Sequence, residues 1–187
     1  VTVTSERLRA GESTAQLATD EFKTVFLQNY ARVYNVLFRL VGNQADAEDL
    51  TLETFLKLWQ QQHFHADNLG GWLYRVATRL GYNSLRATKR RTQYEESAGR
   101  DAIDRADVSD PAREAERADE RTHVHEVLSR LSERDAQLLV LRHSGLSYKE
   151  IADALNVSPN SVGTLLTRAE EEFERRYLEG GHDAPQR

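Results

Sequence analysis

The chain of 187 residues is long enough for one large or two small domains, and 39% hydrophobic with 29% charged residues suits small cores beneath a charged surface. No run approaches the roughly 18 apolar residues of a membrane-spanning helix, so no direct membrane insertion is expected, and residues 1–20 hold no apolar stretch to act as a secretion signal. The absence of cysteine excludes disulfides and thiolate metal sites, and with a formal charge of −5 these features point to a cytoplasmic protein.

Helix formers dominate, prolines number three and strand-like alternation is absent, so the expected fold class is all-α: two small helical domains joined by a flexible acidic linker. Residues 1–19 are polar and aperiodic, which predicts a flexible N-terminus. From Asp20, "DEFKTVFLQNYARVYNVLFRLVG" places Phe22, Val25, Phe26, Tyr30, Val33, Leu37 and Leu40 at helical spacings, with Gly42-Asn43 as an end and turn. "DAEDLTLETFLKLWQQ" predicts a second helix whose acidic first turn suits the positive end of the helix dipole. In it, Phe55, Leu56 and Trp59 are expected in the core. "HFHADNLGG" reads as a loop.

The next helix gathers positive charge. From Trp72 to Arg91 lie Arg75, Arg79, Arg86, Lys89, Arg90 and Arg91, with no acid among them. Wound as a helix, Trp72, Leu73, Val76, Ala77, Leu80, Ser84 and Leu85 form one side. Arg75, Thr78, Arg79, Tyr82, Asn83 and Arg86 form the other. Cations in such a row suit phosphate, with steep salt dependence. An outward Tyr82 could stack on an unpaired base, worth ~1–3 kcal/mol in single-strand binders, and Asn83 could bond a base edge.

Thr92–Thr122 holds ten acidic and five basic residues, a net −5 that equals the charge of the whole chain. With few large apolar side chains to offset ordering entropy, it reads as a flexible tether over 92–122, with a helical onset near Ala112. Beyond it, Ser132 with Asp135 and Ser147 with Glu150 fit the N-terminal capping pattern, and Ser158-Pro159 suits an N-cap with proline at the first helical position. Helices follow near 123–130, 133–143, 148–155 and 159–177, then a frayed tail over 179–187.

"LSYKEIADALNVSPNSVGTLLTRAEEEF" resembles a helix-turn-helix. Ile151, Ala152 and Leu155 face inward, Val157 fills the angle, and Val162, Leu165, Leu166, Ala169 and Phe173 bury the second helix. Asn160, Ser161, Thr164, Thr167 and Arg168 remain outward on the half that enters a major groove in such motifs. The following Glu170, Glu171, Glu172 and Glu174 repel phosphate, so this unit alone is expected to bind DNA weakly. No nucleophile, phosphate loop or cofactor fingerprint is present; the loop pair His63/His65 lacks an evident third ligand, and His123/His125 on a helix point to nearly opposite sides. An enzyme, a metal and a cofactor are not expected.

"DAEDLTLETFLKLW", "GWLYRVATRL" and "LSERDAQLLVLRHSGLSYKEIADALNVSPNSVGTLLTRA", in that order, resemble the extracytoplasmic-function sigma factors of bacterial RNA polymerase. The resemblance runs from about Asp20 to Tyr177 and implies a region 2-like domain over 20–91 and a region 4-like domain over 123–178. It implies that Asp46, Asp49, Leu52 and Glu53 dock on the coiled coil of the polymerase β′ subunit, with Leu52 where the family usually has glutamine. It assigns reading and melting of the promoter −10 element to His63, Phe64, His65, Asn68, Arg75, Arg79, Tyr82, Asn83, Arg86, Lys89, Arg90 and Arg91, the loop His63–Leu69 capturing a flipped base. It assigns the −35 element to Ser158, Asn160, Ser161, Thr164, Thr167 and Arg168, in a domain that also touches the β flap. Gly163, Leu165 and Thr167 stand where basic residues are frequent, which implies readout by polar contacts or greater reliance on the polymerase. The implied partners are core RNA polymerase, promoter DNA as duplex and melted strand, and an anti-sigma factor. A stand-alone DNA-binding regulator and an interaction protein that sequesters a regulator are the competing expectations.

Overall fold

A computed structural model describes the backbone over residues 2–61, 67–97 and 111–180, with side chains over 19–61, 67–92, 94 and 120–179. Among the described residues it is all-helical: α1 Thr2–Val41, α2 Gln44–Gln61, α3 Leu69–Ser97, α4 Pro111–Arg130, α5 Glu133–His143, α6 Tyr148–Leu155 and α7 Pro159–Gly180. Several helical bounds differ from expectation, among them the end of α7, which runs to Gly180 rather than closing near 177. The α1 backbone is helical from Thr2, ahead of Asp20, and no proline in that stretch interrupts it. α3 continues past Arg91 to Ser97, and α4 opens on Pro111 itself, which as a first helical residue gives up an N–H that no helical carbonyl would accept. The segment 98–110 of the expected linker lies outside the described residues.

The caps follow local chemistry. Gly42, at φ 80°, ends α1 in the left-handed region that glycine enters without cost, and its N–H bonds the Phe38 carbonyl. Asn43 then caps α2, its Oδ1 accepting from the Asp46 N–H at 2.8 Å. Ser132 caps α5, and Ser147 with Glu150 forms a complete capping box on α6. Asn156, at φ 54°, turns the chain from α6 to α7, and Val157 packs against the core behind it.

α1, α2 and α3 form an N-terminal bundle and α4–α7 a C-terminal one. An aromatic ladder fastens α1 to α2: Phe22 meets the edge of Trp59 at 5.0 Å, and Phe26 meets Phe55 at 4.8 Å. Beneath it Val33, Leu37, Phe55, Leu58, Leu73 and Ala77 are sealed from solvent. α3 crosses α1 closely at Gly81, where a Cβ would stand 2.7 Å from Leu40 Cδ2. A second apolar layer joins Val36 and Leu40 of α1 and Tyr74, Tyr82 and Leu85 of α3 to Leu128, Leu131, Leu138, Leu141 and Ile151. The two bundles thus share a core, with α3 between α1 and α2 on one flank and α4, α5 and α6 on the other. Each large side chain fully buried there contributes ~1.5–3 kcal/mol, more than the ~0–1 kcal/mol of an exposed ion pair, so the apolar layer dominates the junction.

Candidate nucleic-acid and protein interfaces

α2 presents one outward ridge. Asp49 is exposed, Asp46 is half-buried and receives a hydrogen bond from Asn43 Nδ2 at 2.6 Å, and Glu53 pairs with Lys57 at 3.2 Å. Leu52 and Leu56, on the same helix face near these acids, are 52% and 53% exposed, an i,i+4 apolar pair that the protein's own fold leaves uncovered. Leu56 therefore is not the core residue its hydrophobicity predicts: the burial of α2 runs through Ala47, Thr51, Thr54, Phe55 and Leu58, and position 56 falls on the opposite face.

Along α3, Arg79, Asn83, Arg86 and Arg90 are exposed at spacings of three and four, a cationic row on one face. Arg91 is exposed beside it, and Lys89 is half-buried, its pKa lowered by burial and by the nearby Arg130. His63, Phe64 and His65 lie outside the described residues. Asn68 acts locally as the cap of α3, its Oδ1 accepting from the Gly71 N–H at 3.0 Å.

Two residues of the expected outward face are buried instead. Tyr82 is only 3% exposed, and its hydroxyl donates to the Leu131 carbonyl at 2.6 Å. Thr78 is sealed, its hydroxyl returned to the Tyr74 carbonyl. The reason is the second bundle: α3 buries a face against α4, α5 and α6 that a single amphipathic helix would leave wet. The polar atoms that suggest exposure in the sequence are satisfied within the fold. Arg75 stays exposed but reaches across, Nε to the Ala154 carbonyl at 2.8 Å and Nη2 to the Asp153 carbonyl at 2.7 Å. It thereby neutralises carbonyls at the C-terminal, negative end of α6.

Other polar links across the junction were not legible in the sequence. Arg32 of α1 pairs with Glu150 of α6 at 2.7 Å and lies over the Tyr74 ring at 5.6 Å. The Glu150 carboxyl, held below its ordinary range by the Ser147 N–H and by Arg32, thus serves its own helix cap and the neighbouring bundle. His125 of α4 lies against Gly42, with Nε2 3.2 Å from the Arg39 carbonyl, while His123 meets the Tyr177 carbonyl. The two imidazoles face different helices, and among the described residues no cluster of three metal-ligating side chains occurs.

In α7, Ser158, Asn160, Ser161, Thr164, Thr167 and Arg168 are all exposed, while Val162, Leu166 and Ala169 are buried behind them. The first half of α7 is therefore an open polar face supported by α6. Gly163 is not held by crowding, since a Cβ there would meet only Tyr148, at 3.6 Å. Farther along, Glu172 accepts from Arg175 and Arg176, each at 2.6 Å, and these bonds pull its pKa to about 2. Part of the acidic run is thus balanced within the helix; Glu170, Glu171 and Glu174 remain exposed.

Comparison with known proteins places this geometry. Residues 25–91 match the family model for sigma-70 region 2, and residues 122–173 match that for sigma-70 region 4. The extracytoplasmic-function RNA polymerase sigma factor SigE of Mycolicibacterium smegmatis is 33% identical over 87% of this chain, which spans 63% of that protein's length. The RNA polymerase sigma-H factor of Pseudomonas aeruginosa is 28% identical, covering 91% of this chain and 90% of that one. Among solved structures, the sigma factor RpoE of Bartonella quintana, crystallised with the anti-sigma factor NepR, shares the fold at a TM-score of 0.51 and 22% identity, covering 83% of this chain and 95% of that one.

Proposed function

This chain belongs to the sigma-70 family, in its extracytoplasmic-function branch, and from that premise we propose that it directs core RNA polymerase to promoters, reading and melting the −10 element with α3 and reading the −35 element with α7. It is a promoter-selecting subunit of the cytoplasmic transcription machinery, not an enzyme. The observation that carries the reading is the pairing of two matched regions, in order, with two exposed faces of suitable chemistry. One is the cationic row Arg79–Asn83–Arg86–Arg90. The other is the polar face from Ser158 to Arg168 on the second helix of a helix-turn-helix.

The division of labour follows from charge. Melted DNA offers phosphates and unpaired bases, which a row of arginines around an amide engages. The α7 face offers hydroxyls, an amide and one arginine, suited to base edges in a major groove. Its affinity alone is weak, and core polymerase supplies the remainder. The uncovered Leu52–Leu56 ridge, flanked by Asp46, Asp49 and Glu53, is the surface we assign to the polymerase β′ coiled coil. The β flap is assigned to the C-terminal bundle. An anti-sigma factor is the further partner we infer from family membership.

Reconstitution with core polymerase, followed by sequencing of transcript starts on genomic DNA, tests the reading. Discrete starts absent with core alone are expected. Arg79→Ala and Asn83→Ala should each impair promoter opening while leaving assembly with core intact; equal loss of both properties would refute the role given to α3.

A further inference from the structure

Between the end of α1 and the C-terminal bundle lies a cleft that none of the roles above uses. Its apolar lobe, about 350 Å³, is walled by Val124 and Leu128 of α4, Leu139 and Val140 of α5 and Phe173 of α7. Leu128, Leu139 and Val140 are buried behind it, and Val124 and Phe173 are half-buried. An adjoining lobe of about 400 Å³ shares Arg39 and Val124 with the first and adds Asn35, Glu120, Arg121 and His125. Each lobe falls within the roughly 300–1,000 Å³ typical of small-molecule sites. Arg39 borders both. Its backbone carbonyl lies 3.2 Å from His125 Nε2, whereas its side chain is exposed. Among the described residues that guanidinium has no hydrogen-bond or ion-pair partner. His143 and Glu170, both exposed, complete the lining of the apolar lobe.

We propose that this cleft binds a small amphipathic carboxylic acid, with its hydrocarbon part in the apolar lobe and its carboxylate on Arg39. The two ends of such a molecule match the two parts of the site. Hydrocarbon entering the apolar lobe leaves water and gains stability in proportion to the area it buries. A carboxylate offers two acceptor oxygens to the planar fork of an arginine, a charge-assisted pairing that an uncharged group of the same shape cannot match. Arg121, in the adjoining lobe, adds positive charge on the same flank, while Glu170 opposes an anion from the apolar lobe. None of the lining residues is among those assigned above to promoter DNA or to the β′ coiled coil, so the site stands apart from promoter reading.

Hexanoate, octanoate and the neutral octanamide serve as probes, titrated into the full chain by isothermal titration calorimetry at neutral pH and low ionic strength. Octanoate should bind more tightly than octanamide, and each methylene added from hexanoate to octanoate should tighten binding by up to about fourfold. Arg39→Gln should weaken octanoate about three- to tenfold and leave octanamide nearly unchanged. Glu170→Gln should tighten octanoate and not octanamide. Val124→Phe, which narrows both lobes, should weaken both probes; Arg39→Gln and Glu170→Gln, at exposed positions, keep the test valid should that variant unfold. Absence of saturable octanoate binding at millimolar concentration, equal affinity for acid and amide, or an acid preference that Arg39→Gln leaves intact overturns the proposal. Any of these results leaves the roles of α3 and α7 standing, because transcript starts in the reconstituted system test those roles without the acid.

Discussion

Replacing Tyr82 by phenylalanine deletes one oxygen and nothing else. That oxygen donates a 2.6 Å hydrogen bond to the Leu131 carbonyl across the junction of the two bundles, from a side chain that is 3% exposed. A buried neutral hydrogen bond contributes ~0.5–1.5 kcal/mol net, and an acceptor left unpaired costs ~1–3 kcal/mol. The expected loss is therefore about 1–3 kcal/mol. At a urea slope of about 2 kcal/mol per M, the unfolding midpoint should fall by roughly 0.5–1.5 M. Both tryptophans, Trp59 and Trp72, lie in the N-terminal bundle, so their fluorescence follows that half while far-ultraviolet circular dichroism follows the whole. The ring survives in the variant, so stacking on an unpaired base, and transcription with core polymerase, should be retained. A midpoint within about 0.2 M of the unsubstituted chain, on a slope of that size, would refute the claim that the hydroxyl couples the bundles.

Ser147→Ala should cost ~0.5–2 kcal/mol through loss of the α6 capping box, read as a lower thermal midpoint of the full chain, with the α7 face unchanged in composition. His125 supplies a pH dependence. Burial lowers its pKa in the folded chain, so the unfolded chain, titrating near about 6.5, binds more protons at mildly acidic pH. The stability it contributes is complete above that value and is lost as pH falls through the lowered folded value. Urea midpoints should decline from neutral pH toward pH about 5, and His125→Gln should flatten that decline.

Much of the architecture was legible because it is written in local chemistry. Ser132, Ser147, Gly42 and the Asn156-Val157-Ser158 turn each mark a helix end that the backbone then obeys. The α7 pattern separated Val162, Leu166 and Ala169 from the exposed polar face because a helix of the helix-turn-helix buries one side only. α3 was misread for the opposite reason: it is buried on two sides. Nothing local to Tyr82 says that a carbonyl 49 residues away will take its proton, and nothing local to Arg32 or Arg75 says that both will close on α6. Leu56 erred the other way, an apolar side chain that this chain's own core leaves uncovered. For Tyr82, Arg32 and Arg75 the deciding contact is long-range, and periodicity carries no information about it.

The gap between the end of α3 at Ser97 and the start of α4 at Pro111 acts as a leash of fixed length. Covalent geometry allows ~3.3–3.6 Å per residue, so residues 98–110 let those two helix ends part by no more than roughly 50 Å. At ~3.4 Å per base-pair step, that is about fifteen steps of duplex. While both helices keep their ends, the covalent chain thus bounds how far the close of α3 and the start of α4 can separate, whatever each bundle binds.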